Sequence, residues 1–340
     1  MIKIQEEVNL KPYNTFGIAA KARLFVDIDT EDDVRELLKS PVYKDNKVLI
    51  LGGGSNVLLT KNFDGLVVHN SLKGIDVVDR NEHHTTIKVA SGEIWHDLVM
   101  YTIDNNLGGI ENLSLIPGTV GAAPMQNIGA YGVEAKETII NVDAIDRSTG
   151  ASRSFTSDEC RFGYRESVFK HELKEKYFIS SVTLSLTNND HQLNISYGAI
   201  IDTLKQMNVT QPTIRDVSNA VIAIRRSKLP DPKVIGNAGS FFKNPVIDTT
   251  QYNELKKRFP SIPGYTSENQ EVKVPAGWLI EQCSLKGIRI NDVGVHQHQA
   301  LVLVNYNNGS GDEILELSKK IQRTVKETFG IDLHTEVNII

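Results

Sequence analysis

The sequence has few cysteines, no long apolar run and no excess of positive charge. Cys160 and Cys283 are the only cysteines in 340 residues, which excludes a disulfide framework and predicts two buried, reduced thiols. No run approaches the ~18 apolar residues of a membrane span, and residues 1–7 lack the apolar core of a secretory signal. Lys and Arg number 37 against 42 Asp and Glu, a net charge of −5, which argues against a nucleic-acid coat. We therefore expect a cytoplasmic protein that binds neither membrane nor nucleic acid.

The standard nucleotide-binding fingerprints are also missing, although the chain has a suitable glycine-rich loop. The apolar strand predicted at 47–51 runs into Gly52-Gly53-Gly54-Ser55-Asn56-Val57. Val57 occupies the last glycine position of a Rossmann fingerprint, and no Gly-Lys-Ser/Thr of a P-loop follows. Because successive glycine N–H groups form an anion-binding concavity, we predict a pyrophosphate site here, with a plain tight turn as the alternative.

A second segment, 117–132, is rich in glycine and alanine and contains no charged residue. Such a neutral stretch suits neither a solvent loop nor an amphipathic helix. It suits backbone lying against a large, partly apolar cofactor, with Gln126 and Asn127 forming hydrogen bonds at the edge of that cofactor. Two glycine-rich loops that both avoid the nucleotide fingerprints predict a flavin in an extended groove.

Periodicity and caps predict several further elements. Thr30 and Asp33 predict a capped helix that buries Val34, Leu37 and Leu38. The other expected elements are a helix capped by Thr213 with a solvated Arg225 in its last turn, a strand over 296–304, a helix opening at Asp312 and an alternating strand over 331–337. His296 and His298 share a face of the strand predicted over 296–304. The residue spacings of zinc sites are absent, so we expect no metal site.

Ser240 lies in the run Gly236–Pro245, between glycines and the aromatic pair Phe241 and Phe242. No acid or base adjoins it in sequence, so it does not fit a hydrolase nucleophile. We interpret it as a donor presented to a small anionic or carbonyl substrate. The alternative is a loop that needs only small residues.

Six motifs, in one order along the chain, carry a resemblance to a known family. They are Gly52-Gly53-Gly54-Ser55-Asn56, Pro117-Gly118-Thr119-Val120-Gly121, Gly129-Ala130-Tyr131-Gly132, Tyr164-Arg165-Glu166-Ser167, Gly239-Ser240-Phe241-Phe242-Lys243-Asn244-Pro245 and Glu336-Val337-Asn338. Together they resemble the UDP-N-acetylenolpyruvoylglucosamine reductases over nearly the whole chain.

The resemblance implies an α+β fold, with a two-lobed FAD-binding domain of the vanillyl-alcohol-oxidase type and a separate α+β substrate-binding domain. The expected limits are residues 1–68 for the first lobe, joined by the C-terminal strand 331–340, then 69–215 for the second lobe and 216–330 for the substrate domain. A monomer is expected.

The implied activity is reduction of UDP-GlcNAc-enolpyruvate to UDP-N-acetylmuramate in peptidoglycan precursor synthesis, an oxidoreductase reaction with FAD as cofactor and NADPH as reductant. By resemblance, Arg165 and Glu336 stabilise an enolic intermediate and Ser240 donates the proton. Lys228 stands before the serine loop, where a substrate diphosphate needs a cation.

The remaining site residues follow from the same resemblance. For the cofactor they are Gly52, Gly53, Gly54, Ser55, Asn56, Val57, Ile116, Pro117, Gly118, Gly121, Gln126, Asn127, Gly129, Ala130, Tyr131, Gly132 and Ile179. For the substrate they are Tyr164, Tyr197, Lys228, Asn244 and Gln299, with Tyr197 folding over the bound ligand.

Two other classes of protein remain open at this point. One is an oxygen-reactive alcohol oxidase of the same FAD fold, although neither glycine-rich loop offers a histidine or cysteine for a covalent flavin link. The other is a non-catalytic flavin- or nucleotide-sugar-binding protein, which has no need of Arg165, Ser240 and Glu336 together.

Overall fold

The computed structural model describes residues 2–266 and 271–340, and within them the chain forms twenty strands and eight α-helices. The strands are β1 (Gln5–Asn9), β2 (Lys21–Ile28), β3 (Val48–Leu51), β4 (Val57–Leu58), β5 (Phe63–Asn70), β6 (Ile75–Arg80), β7 (His84–Ala90), β8 (Gly129–Ala130), β9 (Val133–Glu134), β10 (Ile139–Asp146), β11 (Ser152–Thr156), β12 (Tyr177–Thr187), β13 (Gly236–Ser240), β14 (Val246–Asp248), β15 (Tyr265–Thr266), β16 (Glu271–Lys273), β17 (Arg289–Ile290), β18 (Val293–Val295), β19 (Val302–Asn305) and β20 (Asn338–Ile339). The α-helices are α1 (Glu31–Lys39), α2 (Pro41–Lys44), α3 (Trp95–Asp104), α4 (Gly198–Gln206), α5 (Ile214–Lys228), α6 (Thr249–Arg258), α7 (Ala276–Gln282) and α8 (Gly311–Phe329). These α-helices are too short or too polar to traverse a bilayer, a finding that concerns the described residues alone.

The chain divides into two compact units, each described below by itself. The first consists of Met1–Val8, Ala22–Gly53 and Asp64–Ser227, and the second of Asn9–Lys21, Gly54–Phe63 and Lys228–Ile340. The domain limits predicted from the sequence at residues 68, 215 and 330 stay a prediction.

The first unit begins with a four-stranded sheet in the order β1-β2-β5-β3, in which β3 and β5 are parallel. Helix α1 follows β2 and starts with the predicted capping box. The Thr30 hydroxyl accepts from the Asp33 N–H (3.1 Å), and the Asp33 carboxylate accepts from the Thr30 N–H (3.0 Å). Val34, Leu37 and Leu38 are buried on β2 and β5, as predicted.

A five-stranded antiparallel sheet in the order β11-β10-β12-β7-β6 forms the larger part of this unit. Val142 of β10 faces Val182 of β12 at its centre. Helix α3 buries Trp95 and Leu98 in the core beside these strands. That packing fixes the residues that flank α3. Those residues hold the second glycine-rich segment.

Helices α4 and α5 close the first unit and share a small apolar core. Ile200 and Leu204 of α4 pack with Val217, Val221 and Ile224 of α5. The buried residues of α5 lie at helical spacing, which is the face that the sequence predicts.

The second unit contains a four-stranded sheet in the order β13-β19-β18-β17, a three-stranded sheet in the order β14-β16-β15, and the parallel pair β4 and β20. Helix α8 ends at Gly330, whose φ of +69° forms a left-handed C-cap. It begins one residue before the predicted Asp312, because the Ser310 hydroxyl accepts from the Glu313 N–H and makes Ser310 the N-cap.

Two strand predictions in the second unit are wrong. Instead of one strand over 296–304, β18 ends at Val295, the chain reverses, and the His296 N–H donates to the Val302 carbonyl (2.9 Å). Instead of a strand over 331–337, there is a single bridge between Thr335 and Phe242. In both places the residue pattern is compatible with extended backbone, but it does not reveal where the hydrogen-bonding partner begins and ends.

Candidate active site

The first glycine-rich loop is pressed against the second. In the first unit, a Cβ on Gly52 would collide with the Thr119 hydroxyl, and one on Gly53 would lie 3.1 Å from the Gly118 Cα. These glycines are therefore required by the close approach of two backbone segments. The predicted cofactor residues on both sides, Gly52 and Gly53 with Gly118, lie together.

The rest of the first loop, in the second unit, is bonded to the C-terminal segment. The Asn56 side-chain amide donates to the Glu336 carbonyl (3.3 Å). In return, the Asn338 backbone N–H and side-chain amide both donate to the Asn56 carbonyl (3.1 and 3.0 Å). Val57 then pairs with Asn338 as β4 meets β20. The loop predicted to bind the flavin thus holds the segment that carries the predicted catalytic carboxylate.

The second glycine-rich segment is pinned by the residues around the start of α3. The Leu115 N–H donates to His96 Nδ1 (2.9 Å), with Leu115 in the left-handed region at φ +59°. The Trp95 N–H donates to the Gly118 carbonyl (3.0 Å), and the Gly121 N–H donates to the Ser91 carbonyl (2.8 Å). Burial lowers the pKa of His96, and Arg226 and Arg225 lower it further against the opposing effect of Asp97. The neutral ring that can accept the Leu115 hydrogen bond is therefore favoured.

Arg165 is held beside the short hairpin of β8 and β9 in the first unit. Its guanidinium donates to the Gly129 carbonyl (2.7 Å), and its backbone has a φ of +57°. The Tyr164 ring lies 5.4 Å from the guanidinium carbon, a cation–π contact that orients the cation. Asn127 is fully buried, and its side chain donates to the Glu134 carboxylate (2.9 Å) and to the Gly163 carbonyl (3.0 Å).

The remaining predicted cofactor residues of the first unit lie against its larger core. Ile179 is a buried residue of β12, and Ile116 and Ala130 are partly buried beside it. Pro117, Gln126 and Gly132 belong to the same glycine-rich segments, and Gln126 is half-buried. Their assignment to the flavin stays a prediction.

Ser240 and Glu336 are neighbours in the second unit. Ser240 pairs with Val302 at the end of β13, immediately after the left-handed Gly239 (φ +69°). The next residue, Phe241, donates its N–H to the Leu301 carbonyl (2.8 Å) and accepts from the Glu336 N–H at 2.8 Å. Phe241 is fully buried. The backbone on both sides therefore fixes the half-buried Ser240 and Glu336 close together.

Asn244 and Gln299, two of the predicted substrate residues, both lie near the start of α7. The Ala276 N–H donates to Asn244 Oδ1 (2.9 Å), which caps the helix. A Cβ on Gly277 would lie 3.7 Å from Gln299 Oε1. Lys228 is the exposed last residue of α5, a helix end that suits a cation.

Two predictions about single residues need correction. Arg225 is not a solvated helix-end cation: its Nε is buried without a hydrogen-bond partner among the described residues, and burial lowers its pKa. Arg225 interacts with Tyr131, a residue between β8 and β9. The helical periodicity of α5 cannot predict an interaction with such a distant residue. Both cysteines are free, as predicted, but only Cys160 is fully buried, where burial raises its thiol pKa to about 12, and Cys283 is half-buried.

His296 is buried, and its Nδ1 has no hydrogen-bond partner in the part of the chain that the structure describes. Burial lowers the pKa of His296, and His298, whose ring centroid is 5.6 Å away, lowers it further. Over residues 2–266 and 271–340, no three His, Cys, Asp or Glu side chains are grouped so as to hold a metal ion.

Sequence reasoning missed the role of Asn338 and the burial of Arg225. Asn338 is the last residue of the motif Glu336-Val337-Asn338, so the resemblance points to its position. The resemblance does not predict the hydrogen bond of Asn338 to Asn56. Arg225 carries no local signal of burial.

Comparisons with known proteins show which family the sequence and the fold resemble. A family model described as an FAD binding domain matches residues 22–155, and one described as the C-terminal domain of UDP-N-acetylenolpyruvoylglucosamine reductase matches residues 231–340. The chain is 52% identical to the UDP-N-acetylenolpyruvoylglucosamine reductase of Flavobacterium johnsoniae over 100% of both chains. It is 47% identical to that of Chromobacterium violaceum, over 100% of this chain and 99% of the relative.

Two solved structures share the fold. The Thermus caldophilus UDP-N-acetylenolpyruvylglucosamine reductase aligns with a TM-score of 0.70 at 22% identity, covering 100% of this chain and 99% of that one. A solvent-stable cholesterol oxidase aligns with a TM-score of 0.50 at 11% identity, covering 98% and 87%.

The α+β fold and the matched segment at 22–155 define an FAD-binding protein, as the sequence predicts. The full-length identity to the curated relatives defines it further. The chain belongs to the UDP-N-acetylenolpyruvoylglucosamine reductase family.

Proposed function

We propose that this chain is an FAD-dependent, NADPH-driven reductase that converts UDP-GlcNAc-enolpyruvate to UDP-N-acetylmuramate for peptidoglycan synthesis. Family membership supports the reaction. The structural observation that carries it is the hydrogen bond from the Glu336 N–H to the carbonyl of Phe241, the residue after Ser240. This bond links the backbone of the residue that would supply the carboxylate to the backbone next to the residue that would supply the hydroxyl.

The residues present fit FAD. Gly53 and Gly118 bring two neutral backbone segments so close that a Cβ on Gly53 would lie 3.1 Å from the Gly118 Cα, and successive glycine N–H groups suit a pyrophosphate. The predicted residues 52–57, 116–118, 121, 126–127, 129–132 and 179 would hold the cofactor. When bound, FAD would supply two-electron hydride chemistry between NADPH and the substrate.

Arg165 would bind the substrate carboxylate. Hydride addition to one alkene carbon moves an electron pair towards that carboxylate, so a fixed cation there stabilises the developing enolate. The bonds and contacts of Arg165 to Gly129 and Tyr164 orient the guanidinium before the substrate arrives. Glu336 would hydrogen-bond the same enolic group.

Ser240 would donate the proton to the second alkene carbon. A serine hydroxyl is a very weak acid, so the step requires the strongly basic enolate and a hydroxyl already aimed at it. Gly239 and the pairing of Ser240 with Val302 would fix the backbone that presents this hydroxyl.

The rest of the substrate would be held by groups suited to a UDP-sugar. Lys228 would bind the diphosphate, Asn244 and Gln299 the sugar and nucleotide hydroxyls, and Tyr164 and Tyr197 would pack over the ligand. Both tyrosines are solvent-exposed, at 43% and 47%. We further propose that the enzyme is a cytoplasmic monomer without nucleic-acid or membrane partners.

The test is an anaerobic titration of the purified flavoprotein. NADPH should bleach the oxidised flavin band, and UDP-GlcNAc-enolpyruvate should restore it without oxygen. A reduced enzyme that only oxygen reoxidises would be an oxidase, and a protein without a flavin band or a response to NADPH would be a binding protein. Either result would overturn the proposal.

A further inference from the structure

Tyr131 occupies the tip of the β8–β9 hairpin, with a left-handed φ of +52°. Its carbonyl accepts from the side-chain amide of Asn112 (3.0 Å), which also donates to the Asn194 carbonyl (2.8 Å). Asn112 is fully buried. One buried amide therefore ties the hairpin tip to the segment that leads into Tyr197.

The Tyr131 side chain packs on the helix pair formed by α4 and α5. It contacts their apolar core together with Leu193, Ile195 and Ala199. Its ring meets that of Tyr197, the N-cap residue of α4, edge to face, with centroids 5.3 Å apart at 83°. Such a pair contributes orientation beyond simple burial.

Arg225 holds the other end of Tyr131. It lies in the last turn of α5, its Nε is buried without a hydrogen-bond partner among the described residues, and its charge interacts with the Tyr131 side chain. Burial is the main influence on both groups, lowering the pKa of Arg225 and raising that of Tyr131. A partly buried cation with a hydroxyl partner is held in one place, whereas an exposed one is free to move.

We infer that Arg225 and Tyr131 form a clamp that positions Tyr197 over the substrate. Tyr131 belongs to a glycine-rich loop assigned to the cofactor, and Tyr197 is assigned to the substrate. The clamp thus sets the place of the substrate-covering ring relative to that loop. Arg225 and Tyr131 act as positioning residues, and this role rests on the proposed function, which supplies the contact of Tyr197 with substrate.

The first test compares Tyr131→Phe and Arg225→Lys with Arg226→Lys, a change of the exposed neighbouring arginine. Tyr131→Phe should raise the substrate KM about tenfold, the equivalent of one lost polar contact to a charged group. Any fall in kcat and in the rate of flavin reduction by NADPH should be smaller than the rise in the substrate KM. Arg225→Lys should lie between wild type and Tyr131→Phe, and Arg226→Lys should match wild type. An equal loss in both half-reactions would indicate a general structural role and overturn the inference.

The second test asks whether Tyr131 acts through Tyr197. In a Tyr197→Ala background, Tyr131→Phe should add no further rise in the substrate KM. A renewed tenfold rise would show that the two act independently and would overturn the clamp.

The third test needs no substrate and separates the clamp from the proposed function. The urea unfolding of the holoenzyme is measured for Tyr131→Phe, Arg225→Lys and the double variant, with FAD content as the check on folding. Non-additive changes support the clamp, and additive ones overturn it. Failure of the wild type to reduce the enolpyruvyl substrate would overturn the function while leaving this coupling measurable.

Discussion

The side-chain amide of Asn56 donates to the backbone carbonyl of Glu336 at 3.3 Å, across 280 residues of sequence. Asn338 returns the contact through two hydrogen bonds to the Asn56 carbonyl. A residue of the proposed flavin loop and the proposed catalytic carboxylate are therefore parts of one hydrogen-bonded unit. Displacing one should displace the other.

Asn338→Ala should slow substrate reduction about fivefold, since a hydrogen bond of about 1 kcal/mol then no longer holds Glu336 in place. Asn338→Asp should slow it more, because a carboxylate would face the Asn56 carbonyl. Flavin reduction by NADPH should change less than twofold. Stopped-flow absorbance of each half-reaction provides the measurement, with the exposed Asn308→Ala as control. Wild-type rates in both variants would show that the Asn56–Asn338 contact is dispensable.

Lys228→Ala should raise the substrate KM more than it lowers kcat, because a diphosphate contact contributes equally to binding in the ground and transition states. Steady-state kinetics with varied enolpyruvyl substrate measures both constants. Lys233→Ala, an exposed lysine of the same unit, is the matched control. An unchanged KM for Lys228→Ala would remove this lysine from the diphosphate site.

His96 should make stability depend on pH. Burial lowers its pKa in the folded protein, whereas the unfolded chain binds a proton near pH 6.5. Between the folded pKa and about 6.5 the unfolded state carries more protons, so the free energy of unfolding falls as the pH falls. The protonated ring also cannot accept from the Leu115 N–H.

Urea unfolding of wild type and His96→Gln over pH 5.0 to 7.5 measures this effect. The glutamine offers an acceptor but does not titrate, so wild type should lose more stability towards acid than the variant. Parallel pH profiles would exclude His96 as the source.

Local sequence signals predicted the elements whose hydrogen bonds are themselves local. The Thr30–Asp33 capping box is complete within four residues, and the structure has it as predicted. The strand entering Gly52 and the apolar face of α5 follow from equally short patterns. In these cases the partner is in the same window as the signal.

Features made by distant partners were predicted only in part or not at all. The chain reversal after His296 results from the antiparallel pairing of β18 with β19. The residue pattern of 296–304 by itself is equally compatible with one continuous strand. The burial of Arg225 depends on how α5 packs within the first unit, which the helical spacing of α5 alone does not show. Ser240 and Glu336 were recognised through motifs, but their adjacency follows from a backbone bond between remote segments. Their catalytic roles stay predictions.

The role of Ser240 is the central claim, and the most direct test is an anaerobic stopped-flow comparison of Ser240→Ala with wild type. NADPH should reduce the flavin of the variant at the wild-type rate. Reoxidation by UDP-GlcNAc-enolpyruvate should slow at least about hundredfold, because the proton donor is gone. Ser261→Ala, at an exposed position, should behave as wild type in both steps. Reoxidation of Ser240→Ala within a few-fold of wild type would contradict the account.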